Sequence, residues 1–221
     1  MSRNVARFVL NFRNHAWKEL SGETIQKTLK VRLACGTRGY DVKELCTPLP
    51  SEHTLQRRLI DVKFLPGILH EVLQPLALKI EFMTEIKRHA CLKVDEMSIT
   101  PGLDYDNSTK RIIGSPTRQP ASPASRKSAL AMHALVFMLG GISSRWKQTV
   151  TYHFTGTSCN AKEVKDVCFD IMKEAEKFDI KVDVMISDMG GNNQALWKAC
   201  DIVCGKQSRL RNSCNHPCGG G

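Results

Sequence analysis

The hydrophobic period of this chain changes near residue 88, and that change limits its fold more than any other feature. Before it, apolar residues recur every three or four positions: Val5, Phe8, Val9 and Phe12, then Ile25, Leu29 and Leu33. That is the spacing of a helix face. Gly36 and Gly39 punctuate, a short helix is predicted over residues 41–46, and Pro48 and Pro50 stop it. Ser51 is a suitable N-cap for a helix over residues 52–60, with Thr54 as a rival start. Residues 65–82 read as a longer apolar helix, kinked or broken at Pro75. Residues 1–88 are therefore expected to form an all-α subdomain, with a helix, a proline turn and a second helix inside it.

From residue 90 the period is two. Residues 90–95 read as a strand, and residues 110–114 as a brief second one after a turn-rich stretch at 101–107. Residues 115–127, rich in Pro, Ser and Arg, are expected to be an exposed loop that interrupts the sheet domain. Two further strands are predicted at 130–139 and 146–154, separated by Gly140 and Gly141. Asn160 then caps an amphipathic helix with Val164, Val167, Cys168, Ile171, Met172 and Ala175 on one face. A strand at 182–186 follows, with Asp188 at its C-terminal end. Gly190 and Gly191 make a turn, and a second helix over 192–204 turns Ala195, Leu196 and Ala199 inward. The expected fold is α/β, β-β-β-α-β-α around a mixed sheet, over residues 89–218, with 90–204 as its core.

A net charge of +10 favours a polyanionic partner without saying anything about fold. No apolar run approaches the roughly 20 residues that cross a bilayer, so no membrane partner is expected. Nothing at the N-terminus reads as a targeting segment. The nine cysteines are odd in number and irregular in spacing, which argues against a disulfide framework and for an intracellular protein. Cys200, Cys204, Cys214, His216 and Cys218 crowd the C-terminus, but in no standard zinc spacing, and read as packed or incidental thiols.

The order of elements gives Asp95 and Asp188 a chemical reason to be where they are. A right-handed crossover sets the first and fourth strands parallel and adjacent. Carboxylates on both can then converge on a crevice and hold Mg²⁺ or Mn²⁺, hard ions that prefer oxygen. Two such ions serve phosphodiester chemistry. Periodicity alone favours a plainer role, strand-end aspartates that cap turns.

The wording of the two motifs reverses that preference. Leu92-Lys93-Val94-Asp95-Glu96-Met97 and Ile186-Ser187-Asp188-Met189-Gly190-Gly191-Asn192-Asn193 resemble the P element transposase family, which includes relatives carrying a THAP zinc finger. Residues 133–139 and 146–152 are similar to that family's core strands, and Pro48-Leu49-Pro50-Ser51 leading to residues 54–59 is similar to its helical DNA-binding segment. The resemblance implies an RNase H-like fold, a nuclear protein acting on transposon-end DNA, alone or as a homo-oligomer, and Asp95 and Asp188 as two of three catalytic carboxylates. Glu96 ranks second to Asp95, since it points to the opposite face of a regular strand. Asn192 and Asn193 are expected to cap or orient the following helix. His53, Gln56, Arg57 and Arg58 are the residues expected to meet DNA.

The family's GTP-binding insertion and its third carboxylate would follow Asp188, where only 33 residues remain and Asp201 is the one acid among them. Asp201 lies in the helix directly after Asp188, the wrong element for the third ligand. No GTP site and no THAP finger are expected, and a two-carboxylate site should bind its ions weakly. The sequence thus predicts a transposase-type chain with an incomplete core and little strand-transfer activity. The alternatives are a non-enzymatic DNA-binding or interaction protein derived from a transposase, and a nuclease recruiting Glu96 or Asp201.

Overall fold

The computed structural model describes residues 24–25, 27–29, 31–32, 39–41, 49–59, 64–107, 109–118, 130–157, 159–203 and 211–219. The chain divides into two compact units, Met1–Lys63 and Phe64–Gly221. The elements with printed bounds are α1 (Glu52–Leu59), β1 (Gly67–Ile68), α2 (His70–Glu81), a 3₁₀ turn (Glu85–Arg88), β2 (His89–Ser98), β3 (Asp104–Asp106), β4 (Arg111–Ile113), β5 (His133–Gly141), β6 (Lys147–Thr155), α3 (Ala161–Glu176), β7 (Lys181–Ile186) and α4 (Gly191–Ala199).

In the first unit, buried Ile25, Tyr40 and Leu55 form a small core, with Leu29, Val31 and Leu49 packed against it. The Tyr40 hydroxyl donates to the Pro50 carbonyl, and Arg32 pairs with Glu52. Ser51 caps α1 as expected: its Oγ accepts the Thr54 N–H at 3.3 Å. The helical spacing at residues 5–12, and residues 42–46 of the helix predicted over 41–46, fall outside the described residues.

The second unit is a five-stranded sheet in the order β1-β6-β5-β2-β7. β2–β5, β5–β6 and β1–β6 are antiparallel, and β2–β7 is parallel. This is the mixed α/β sheet expected, with the crossover through α3 joining β6 to β7. β7 ends the sheet, as does β1 on the other side.

Residues 64–88 belong to this unit, so the helical subdomain expected to reach residue 88 stops short of it. Gly67 has φ +129°, a conformation open only to glycine, and it starts an edge strand rather than a helix. The helix predicted over 65–82 thus begins at His70, and it runs on through Pro75 unbroken. Its buried Leu73, Leu76 and Ile80 join the sheet's core, because their apolar stripe needs a surface to cover.

Three further expectations shift. The strand predicted at 110–114 forms a separate two-stranded hairpin, β3–β4, and stays off the main sheet. β5 runs through Gly140 and Gly141 instead of ending before them. α4 stops at Ala199, with Asp201 at φ +61° just beyond. Of the three residues expected inward on α4, Leu196 is buried and Ala195 is exposed. The inward face of α3 matches the expectation residue for residue.

Alternation assigns the two faces of the sheet. Ala90, Leu92 and Val94 on β2 stand beside Leu139 and Phe137 on β5, all buried in the core. Lys93, Asp95 and Met97 point to the opposite, open face. The β5–β6 turn is clamped to the 3₁₀ turn: the Ser143 hydroxyl donates to the Ile86 carbonyl at 2.6 Å, and Trp146 Nε1–H to the Lys87 carbonyl at 3.3 Å. Gly141 makes this possible, since a Cβ there would lie 2.4 Å from Trp146 Nε1 and 2.5 Å from the Ser144 carbonyl. A Cβ at Gly140 meets nothing closer than 3.6 Å. Gly141→Ala is therefore expected to destabilise the protein by about 1–3 kcal/mol, the usual cost of overpacking, and Gly140→Ala by clearly less; urea unfolding measures both.

His153 sits on the buried face against Phe137, and burial, with Arg118 nearby, lowers its pKa to about 4. The unfolded chain protonates this imidazole near 6.5, so it takes up a proton before the folded state does. Stability should be full above pH 6.5 and fall as pH drops from there to about 4. The loss is roughly 3 kcal/mol from this group alone, and urea midpoints of His153→Gln should show a flatter profile over that window.

Candidate metal centre and nucleic-acid interface

The parallel register runs His89↔Lys181, then Cys91↔Val184, Leu92↔Met185 and Lys93↔Ile186. Asp95 and Asp188 each stand two residues past the last of these pairs, so the sheet brings both to the same end of adjacent strands. Both are exposed. Asp95 Oδ1 accepts the Glu96 N–H at 2.9 Å. Asp188 Oδ1 accepts the Gly190 N–H at 2.9 Å and the Asn193 amide at 2.5 Å. These two hydrogen bonds, the backbone one foremost, hold the Asp188 carboxyl below the usual aspartate range. In both carboxylates these hydrogen bonds fall on Oδ1.

Gly190 lets the backbone approach closely: a Cβ there would lie 3.0 Å from Asp188 Oδ1, which would have to give by a few tenths of an ångström. Asn193, expected to cap or orient α4, instead orients Asp188. Its neighbour Asn192 turns to the other face, where its amide donates to Glu96 Oε2 at 3.1 Å. Glu96 Oε1 accepts the Thr155 hydroxyl at 3.1 Å. Glu96 thus ties β2 to β6 and α4 on the face opposite Asp95, so it is a staple of the fold. Among the described residues no group of three or more His, Cys, Asp or Glu side chains is arranged to hold a metal.

On α1, in the first unit, His53, Gln56 and Arg57 are exposed at i, i+3 and i+4 spacing, while Leu55 is buried. The Arg58 side chain lies outside the described residues. Of the C-terminal thiols, Cys200 is buried and Cys218 is exposed; burial pushes Cys200 up to about 11 and Cys168 of α3 up to about 12, with Cys214 adding to both. Cys214 is half-buried against the core, and His216 Nδ1 accepts the Cys218 N–H at 3.3 Å. Cys204 lies outside the described residues. No described helix is long and apolar enough to cross a membrane.

With this geometry in place, the TNP-like, RNase H N-terminal domain family matches residues 64–201. The chain belongs to that family. It is 26% identical over 155 residues to the Transposable element P transposase of Drosophila melanogaster, which covers 70% of this chain and 18% of that protein. Its fold is similar to that of the Drosophila P element transposase strand transfer complex, with a TM-score of 0.54 at 22% identity, over 86% of this chain and 39% of that one. The chain is a P element transposase relative that spans less than half the length of either. The family match begins at residue 64, where the second compact unit begins.

Asn193→Ala should raise the Asp188 carboxyl pKa by removing one of its two donors. A carboxyl-detected NMR titration reads this directly; an unchanged midpoint would mean the amide does not stabilise the carboxylate.

Proposed function

We propose that the open face of the sheet at Asp95 and Asp188 is a divalent-metal crevice for phosphodiester chemistry on DNA. The observation that carries this reading is the parallel β2–β7 pairing, which brings the two carboxylates to one end of neighbouring strands. The donor set fits a hard cation: both groups are exposed carboxylates, and Asp188 is held in its charged form. Mg²⁺ or Mn²⁺ bound there supplies the charge that activates an oxygen nucleophile and steadies the leaving oxygen. Asn193 and the Gly190 N–H would keep Asp188 aimed and ionised. The relation to the Transposable element P transposase is the basis for taking transposon-end DNA as the substrate class, and the nucleus is proposed with it as the site of action.

Two carboxylates hold such ions weakly, so these 221 residues by themselves should turn over poorly. The exposed His53, Gln56 and Arg57 face of α1 is proposed as a second DNA contact.

Titrating Mn²⁺ into the labelled protein should broaden amide signals around Asp95 and Asp188 at millimolar concentrations, and Asp188→Asn should abolish this. Broadening that is absent, or that survives Asp95→Asn with Asp188→Asn, would remove the metal crevice. On a nicked-duplex assay little cleavage is expected; Mn²⁺-dependent cleavage that Asp95→Ala abolishes would overturn the inactivity and retain the site.

A further inference from the structure

A cleft of about 500 Å³ lies at the β5–β6 turn, lined by Lys93, Gly140, Gly141, Arg145, Trp146 and Lys147 with the intervening turn residues. Its three charged side chains are all cations, and no acid lines it. Lys93, Arg145 and Lys147 are all exposed. Among the described residues, none of them is in an ion pair, whereas Lys173, Lys177 and Lys181 each have a carboxylate within 3.5 Å. Three cations gathered around one cleft, from β2, the β5–β6 turn and the start of β6, repel one another, and an anion placed between them relieves that.

The cleft is built, with its floor and walls fixed by the sheet. Gly140 pairs with Lys147 on β6 and with Cys91 on β2, so both glycine neighbours are held in register. Lys93 Cε comes within 3.6 Å of the place a Gly140 side chain would begin, so the bare floor is where the ammonium stem lies. The turn itself is fastened by the Ser143 and Trp146 hydrogen bonds to the 3₁₀ turn. Lys93 and Asp95 are two residues apart on one strand and point to the same open face. That spacing is about 7 Å, twice the rise per residue of a strand.

We propose that Lys93, Arg145 and Lys147 form a phosphate-binding cleft that grips the DNA backbone next to the Asp95–Asp188 crevice. This rests on the reading of that crevice as a DNA site. A strand whose reacting phosphate lies at Asp95 runs along β2, and its neighbouring phosphates fall at Lys93 and then the turn. The cleft contacts phosphates and no base edges, so it holds register along the backbone without selecting sequence.

Fluorescence anisotropy of a labelled duplex tests the cleft, with the affinity measured across a range of KCl. In the full chain, Lys93→Ala, Arg145→Ala and Lys147→Ala together should lower the salt slope of log Kd by about 2–3, at roughly 0.9 per phosphate released. Kd at low salt should rise at least about tenfold. A control removing three cations from α3 and its C-cap (Lys162→Ala, Lys173→Ala and Lys177→Ala) should alter the slope by less than about 1. Melting curves check that each variant folds, and the triple Gln variant replaces the triple Ala variant if it does not. A wild-type slope in the triple variant, or an equal loss in the control, overturns the cleft while DNA binding by the chain still stands. No DNA binding by the wild-type chain overturns both the cleft and the function on which it rests.

Discussion

The candidate metal site of this protein depends on one parallel strand pair, β2 with β7. An antiparallel neighbour can be reached by a tight turn, but a parallel one needs a crossover, and here α3 supplies it. The pairing sets Lys93 against Ile186. It thereby carries Asp95 and Asp188, remote in sequence, to the same end of the sheet. It also leaves β7 at one edge of the sheet formed by the described residues.

Alternation along β2 then separates structure from chemistry within two adjacent acids. Glu96 points with Leu92 and Val94 toward the core side, where Thr155 and Asn192 occupy both its oxygens. Asp95 points with Lys93 and Met97 to the open face. The same division applies after β7: Asn192 goes to Glu96, and Asn193 goes to Asp188. Consecutive asparagines thus serve opposite faces of the sheet, one holding the fold and one holding the candidate site.

Strong local patterns carried much of this into the sequence. The cap at Ser51, the inward face of α3, and the positions of Asp95 within a core strand and of Asp188 just after the last one were all legible there. Where the reading erred, a tertiary contact overrode a local signal. The apolar run at 65–82 has helical composition, yet Gly67 and pairing to β6 turn its start into an edge strand. Gly140 and Gly141 look like a strand end, yet Trp146 needs the space above Gly141 and the strand runs through. The cluster of Lys93, Arg145 and Lys147 was missed because Lys93 lies more than 50 residues before the other two in the chain and no motif joins them.

By itself the sequence determined the α/β class, the order of the core elements and the family to which the two aspartate motifs are similar. Those follow from periodicity and local wording, which need no knowledge of what packs where. Only the tertiary structure decided that residues 64–88 join the sheet unit, that Glu96 is a staple and that Asn193 steadies Asp188. These depend on register and on which face of a strand meets a neighbour. A shift of one residue would exchange the two faces, and a linear pattern does not record it.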